Sequence, residues 1–262
     1  MADDVVPALL RQIKKSFNAA VKADRELITL NRSIRAGAAD YKMAYRYAEL
    51  LSKHCSDAIL QHCTAQNLPN ETMYYNIASR IIKPMLTQTY RNVAQMSSAV
   101  QQAINDKLGL QLDAITPDVN SDRLDGIAVS LANFENLDEV RRAIDDDVLN
   151  YNLHCIDETI KVNASFQHQL GIRAIVRREC HGKACSWCEG LEGVFDYAEI
   201  KDGSQVWARH RGCQCTLTYE GDTTRIVWGN GDRFKWQSKD RTINSEIRRG
   251  LRDANGRRRR GR

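Results

Sequence analysis

The 262-residue sequence predicts an α+β protein with a long N-terminal α-helical region, a small unit of short β-strands and a basic C-terminal tail. Up to about residue 170, apolar residues recur every three or four positions, which is the period of an amphipathic helix. Further on, short β-branched segments separated by glycine are typical of strands. Composition changes there too, since all four prolines precede residue 118 and all four tryptophans lie in the last third. We therefore predict domains at 1–171 and 172–236, followed by a tail at 237–262.

Four helices are predicted in the first part. They cover approximately residues 5–34, 39–64, 71–108 and 136–170. Pro84 is expected to kink or break the third helix, because proline lacks the backbone N–H and clashes with the preceding turn. Asn136 has a side chain suited to capping the fourth helix, and Gly171 is suited to ending it. Residues 109–135 are expected to form a loop with one short helix.

Short strands are predicted in the second part. Their expected positions are residues 174–178, 193–197, 215–219 and 225–228. The segment Gly229–Asp232 is expected to form a tight turn, since Gly-Asn-Gly-Asp is typical of a hairpin. A unit of this size buries only a small core, so we expect an additional covalent or metal link to stabilise it.

The charge is concentrated at the C-terminus. The whole chain carries a formal +5, but Gln237 to Arg262 contains ten Lys/Arg and three Asp/Glu, a net +7, which leaves −2 for the remaining residues. The run Arg257, Arg258, Arg259, Arg260 and Arg262 predicts contact with nucleic-acid phosphates. A solvated chain end is the alternative. No apolar run approaches the roughly 20 residues of a membrane span, and we expect neither a membrane partner nor a secretory leader.

A cluster of cysteines and histidines carries the strongest chemical signal. Five of the eight cysteines lie between residues 180 and 215. Cys185-x-x-Cys188 is followed after twenty-one residues by His210-x-x-Cys213-x-Cys215, and paired thiol and imidazole ligands at such spacing predict a zinc site. We expect Cys185 and Cys188 to bind the ion with two of the other three. Unliganded thiols and a disulfide are the alternatives.

The abundance of ligands favours a structural ion. A catalytic zinc keeps one of its four positions for water, whereas five candidate ligands over-determine the four positions of a closed site. No phosphate loop, nucleophile elbow or His-Glu-x-x-His motif is present. We therefore expect neither an enzyme nor a small-molecule substrate. The other three cysteines, Cys55, Cys63 and Cys155, fall in helical patterns and are expected to be buried apolar groups.

The cluster and its surroundings resemble the minor head proteins of tailed bacteriophages, the Mu F-like or phage head morphogenesis family. The resemblance begins with Phe166–Gly171 and Ile175–Arg177 and continues through the segment 185–193, which reads CSWCEGLEG. It ends with the segment 206–219, which reads VWARHRGCQCTLTY. Altogether it covers about a fifth of the chain. Cys180 and His181 add two potential ligands to the family's usual set.

The resemblance implies a structural role in head assembly. The protein would be made in the cytoplasm of a bacterial host and lie inside the virion head, near the portal. Its expected partners are the portal and/or major capsid protein, with packaged double-stranded DNA as a further candidate. Two alternatives are a zinc-dependent nucleic-acid-binding protein outside the virion, and a zinc hydrolase or effector ejected with the genome.

Overall fold

The computed structural model describes residues 4–182, 184–201, 203–227 and 233–235, and only the backbone of residues 222–227 and 233–235. The fold is α+β, as predicted. Its helices are α1 (Val6–Ala23), α2 (Arg25–Arg35), α3 (Tyr41–His62), α4 (Tyr75–Lys107), α5 (Ser121–Ala132), α6 (Leu137–Gln169) and the short α7 (Ser186–Glu189). Its strands are β1 (Ile172–Glu179), β2 (Gly193–Asp196), β3 (Thr216–Val227) and β4 (Arg233–Lys235).

The prediction of one helix over residues 5–34 is wrong, because the segment forms two helices. Asp24 interrupts it with an extended ψ of 107° and divides it into α1 and α2. The Asp24 side chain accepts a hydrogen bond of 2.9 Å from the Leu27 amide, which caps the new helix. An aspartate that satisfies a free N–H at a helix start competes with continuation of the helix, and here the cap prevails.

The positions of the other predicted helices are confirmed. The α3 helix and the single short helix α5 occupy the expected segments, and α4 runs for 33 residues. Of the kink or break expected at Pro84, the break does not occur, because α4 continues through this residue. The α6 helix begins after Asn136, whose side chain accepts a hydrogen bond from the Glu139 amide at 3.0 Å. It ends before Gly171, whose φ of 78° suits glycine.

The strands form one antiparallel sheet in the order β2-β1-β3-β4. The strands predicted at 174–178 and 193–197 correspond to β1 and β2. Those predicted at 215–219 and 225–228 are instead one strand, β3, because pairing with β1 continues through Gly221 and Asp222. A register shift between Ile172 and Arg173 accommodates this pairing. The turn predicted at Gly229–Asp232 lies outside the described residues.

The sheet and the helices share one hydrophobic core. Ala174 and Val176 of β1 and Leu217 of β3 are buried in the same cluster as the apolar faces of α1, α3, α4 and α6. The boundary expected near residue 171 thus separates two kinds of secondary structure that pack directly on each other. Cys55, Cys63 and Cys155 are at most 1% exposed and lie within the helical core, as predicted.

None of the described helices is both long and apolar enough to cross a membrane.

Candidate metal centre

Two segments of the chain bring the predicted ligands together. Cys185 precedes α7 as its N-cap, and Cys188 lies in the helix itself. His210 and Cys213 lie in the loop that leads to β3, and Cys215 directly precedes that strand. Since β1 and β3 are neighbours in the sheet, the end of β1 and the start of β3 meet at this point.

All five predicted ligands lie in one cluster, which could bind a metal ion. Two overlapping triads have ligand atoms within 4.8 Å of one another, namely Cys185, Cys188 and His210, and Cys188, Cys213 and Cys215. Cys188 belongs to both. All eight cysteines of the chain are free thiols, so the alternative of a disulfide is not found here. Cys188, Cys213 and Cys215 are buried, whereas Cys185 is exposed.

The spacing fits tetrahedral coordination. An ion bonded to two sulfurs at about 2.3 Å in a tetrahedron separates them by about 3.8 Å, and a sulfur and a nitrogen by about 3.5 Å. The sulfurs of Cys188 and Cys213 are 3.8 Å apart. The His210 Nε2 lies 3.1 Å from the Cys188 sulfur and 3.4 Å from that of Cys185. The other ring nitrogen of His210 faces the carbonyl of Arg211 at 2.7 Å.

Cys180 extends the cluster beyond the predicted set. Its sulfur lies 3.4 Å from that of Cys215. His181 is not part of the cluster, because its Nε2 is hydrogen-bonded to the Thr216 hydroxyl at 2.8 Å. A cavity of about 170 Å³ opens beside the cluster, and its lining includes Cys185, Cys188 and His210.

The thiols differ in how readily they ionise. Hydrogen bonds from the backbone at the start of α7, that of Cys188 first, lower the pKa of Cys185. Burial raises the pKa of the Cys180 thiol to about 12, and the neighbouring Cys215 sulfur adds to this. At Cys215 burial acts in the same direction, but hydrogen bonds from the sulfurs of Cys180, Cys188 and Cys213 outweigh it and lower the pKa.

A buried arginine that the sequence did not reveal lies against the cluster. Arg178, on β1, is only 1% exposed. Its Nη1 donates to the carbonyls of Val206 and Ala208 at 2.6 and 2.9 Å, and its Nη2 lies 3.8 Å from the Cys213 sulfur. No described carboxylate pairs with it. A buried cation requires an anionic neighbour, and metal-bound thiolates would supply that charge.

One face of α6 holds residues 206–215, which lead to β3 and which we call the ligand loop. Asp157, Asn150 and Asp147 bind the three consecutive loop residues 209–211. Asp157 forms a bidentate ion pair with Arg209, and the Asn150 amide donates to the His210 carbonyl. Asp147 pairs with Arg211 at 2.8 Å on both oxygens. The sequence could have revealed this contact face of α6. Asp147, Asn150 and Asp157 lie at i, i+3 and i+10, a spacing that places three polar side chains on one face of a helix.

A hydroxyl of α3 completes this network. Tyr45 donates to Asp157 at 2.6 Å and accepts a hydrogen bond from the Leu217 amide at 2.8 Å. The Tyr45 ring also lies 5.7 Å from the guanidinium of Arg209. Through these contacts α3, α6, the ligand loop and β3 are joined by buried polar groups.

A cationic surface lies apart from the cluster. Between residues 6 and 35 the chain has seven Lys/Arg and two Asp/Glu. We call the seven cations the α1–α2 basic face: Arg11, Lys14, Lys15, Lys22, Arg25, Arg32 and Arg35. All except the half-buried Lys14 are exposed. None pairs with a carboxylate in the part of the chain that the structure describes, since Asp24 and Glu26 engage His54 and Arg46 on α3.

The arginines predicted to contact nucleic acid, Arg257 to Arg260 and Arg262, lie outside the described residues.

Comparisons with known proteins identify no relative of this chain. The chain matches no protein-family profile, no curated protein and no solved structure.

Proposed function

We propose that this protein is a minor head protein of a tailed bacteriophage with a structural zinc site. The observation that carries the proposal is the convergence of the sequence signature, whose ligands come from two separate segments and lie in one cluster. A chance match to the signature would give no reason for its five ligands to meet. The ligand loop is also bound to α6, which suits a part that stabilises the whole chain.

The ion that best suits the cluster is zinc. Thiolate and imidazole are its usual ligands, and the spacing favours four-coordinate tetrahedral geometry. Bound at this point, zinc would tie α7, the ligand loop and the start of β3 together. Its binding free energy would then contribute directly to folding. The role is structural, and we assign no catalytic residue.

The proposed partners are the portal and/or major capsid protein, together with packaged double-stranded DNA. Two cationic regions support the DNA contact, the α1–α2 basic face and the C-terminal arginines. Neither has the features of a base-reading element, so binding would involve phosphates and depend strongly on salt. Inside a head filled with DNA, phosphate is the most abundant anion available to such surfaces.

The proposal is tested in phage particles. An epitope-tagged copy should co-purify with heads at a fixed small number per particle and cross-link to the portal or major capsid protein. In intact heads the tag should resist added protease and become sensitive only after the heads are opened. Absence from purified heads would contradict the proposal and favour a nucleic-acid-binding protein that acts outside the virion.

A parallel pair of variants separates assembly from catalysis. Glu189→Gln and Glu192→Gln change the carboxylates that follow the Cys185–Cys188 pair in the sequence, and heads that carry either variant should assemble and infect normally. Variants that fold and bind zinc normally but yield non-infectious particles would instead support an effector enzyme ejected with the genome.

A further inference from the structure

We propose that the cluster holds two zinc ions, which share the thiolate of Cys188. The inference rests on the zinc-binding part of the proposed function and is independent of the phage-head part. A single tetrahedral ion takes four ligands, whereas six lie together here. They form two triads with only Cys188 in common, and Cys180 lies beside the second.

The first ion would lie among Cys185, Cys188 and His210. The ligand atoms are separated by 3.4 Å between Cys185 and His210 and by 3.1 Å between Cys188 and His210. These distances are close to the edges of a tetrahedron about one ion. The fourth ligand would be water from the cavity of about 170 Å³ that opens beside the cluster, so the closed structural site would be that of the second ion.

The second ion would lie among Cys180, Cys188, Cys213 and Cys215. Cys188 and Cys213 are 3.8 Å apart, and Cys180 and Cys215 are 3.4 Å apart. The sulfurs of Cys188, Cys213 and Cys215 lie within 4.8 Å of one another, and Cys180 joins this triad through its contact with Cys215. Four sulfurs form a closed structural site, and a thiolate has enough lone pairs to bridge to the first ion.

Two ions account for the ligand set better than one. A single ion bound by Cys185, Cys188, His210 and Cys213 would leave Cys180 and Cys215 as an unused pair of thiols in contact. With two ions every one of the six ligands is used. Five thiolates against two divalent ions leave one net negative charge, and the cation of the buried Arg178 lies 3.8 Å from the Cys213 sulfur to offset it.

The experiment measures zinc stoichiometry on the full chain. Protein purified under reducing conditions with added zinc is gel-filtered, and its zinc content is determined by elemental analysis and by native mass spectrometry. Two zinc ions per chain are expected. When the zinc-free protein is titrated with cobalt(II), the thiolate-to-cobalt absorption should likewise increase until two equivalents of cobalt per chain have been added.

Three variants assign the ions. Cys180→Ser removes a ligand of the second ion alone, and His210→Ala removes a ligand of the first alone, so each variant should retain one zinc. Cys188→Ser removes the shared ligand and should lose both. Cys63→Ser, a thiol buried in the helical core, is the matched control and should keep two. Circular dichroism identifies any variant that fails to fold.

The possible outcomes separate the two proposals. One zinc in the wild-type protein, unchanged in Cys180→Ser, would overturn the two-ion inference and leave the single structural site intact. No zinc by either method would overturn the zinc site itself. Two zinc ions with one lost in each of Cys180→Ser and His210→Ala would support the shared cluster, even if Cys188→Ser proves insoluble.

Discussion

Arg209 and Asp157 form a bidentate ion pair inside the protein, where only 1% and 0% of their side chains are exposed. Burial disfavours the Arg209 cation, but the Asp157 carboxylate outweighs it and raises the pKa of Arg209 above its usual value. Because Arg209 directly precedes His210, the pair anchors the ligand loop to α6. The partners are 52 positions apart in the sequence, so the pair links the helical region to the candidate metal centre.

The first prediction is that Asp157→Asn strongly destabilises the protein. It would leave the buried Arg209 cation without its partner, which typically costs about 3–5 kcal/mol of unfolding free energy. Urea denaturation followed by circular dichroism measures the change. Asp147→Asn is the matched control, because its partner Arg211 is 42% exposed and such pairs contribute about 1 kcal/mol or less. Equal losses in the two variants would contradict the anchoring role of Arg209.

The second prediction concerns Arg178, which contacts both the ligand loop and the Cys213 sulfur. Arg178→Met removes the donors to two loop carbonyls and the cation beside the thiolates, and outer-shell changes of this kind cost about 10–100-fold in metal affinity. Competition with a chromogenic chelator measures the loss. Arg177→Met is the control, since Arg177 is paired instead with the exposed Glu220 and should leave affinity unchanged.

The sequence was sufficient to predict the elements whose signals are local. The period of three and four residues located the helical segments, and Asn136 and Gly171 marked the ends of α6 through cap chemistry. The spacing of Cys185, Cys188 and His210 located a candidate site, because a metal ion requires particular ligand types at short separations. These features depend on neighbouring residues, so a single sequence contains them.

The remaining features depend on tertiary contacts. Pairing with β1 keeps β3 continuous through Gly221, where local propensity favours a break. The partnership of Asp157 with Arg209 exists only because α6 packs beside the ligand loop. From the sequence alone, Arg178 is expected to be an ordinary charged residue of a half-exposed strand. The alternation of β1 places Arg178 on the same buried face as Ala174 and Val176, but it does not encode the loop carbonyls and the Cys213 sulfur that Arg178 contacts there.

The third prediction concerns acid stability. Burial lowers the pKa of His154 to about 4 from its usual value of 6.5, and the nearby Arg123 cation contributes. The neighbouring carboxylates Asp157 and Glu158, the latter 3.7 Å from the His154 ring, do not offset this. Because the unfolded chain binds the proton more tightly, stability is full above about pH 6.5 and declines as the pH falls toward 4. The slope is about 1.4 kcal/mol per pH unit for one proton.

Urea denaturation of the metal-free protein between pH 7 and pH 4 measures this effect, since removal of metal excludes acid release of the ion as a cause. His154→Gln should show a flatter dependence than the wild type. Parallel profiles for the two proteins would mean that His154 does not contribute to the acid transition.

The fourth prediction is that the C-terminal arginines contact DNA phosphates. Deletion of residues 257–262 removes five arginines. If each contacts one phosphate, the slope of log affinity against log salt should shrink by up to about 4.5, at about 0.9 per contact. Fluorescence anisotropy with a labelled duplex measures the slope. Replacing the five arginines by lysine keeps the charge and should preserve it, whereas unchanged binding by the deletion variant would indicate a solvated chain end.

The last prediction is that the α1–α2 basic face binds DNA independently of the tail. Arg11→Glu with Lys22→Glu places two carboxylates on that face and should weaken duplex binding and reduce the salt slope by about 1.8. Lys107→Glu with Arg142→Glu makes the same change in net charge within residues 106–158, where thirteen Asp/Glu outnumber four Lys/Arg. This control should bind nearly as the wild type does. Equal weakening by both double variants would mean that binding responds to overall charge and that no particular face is used.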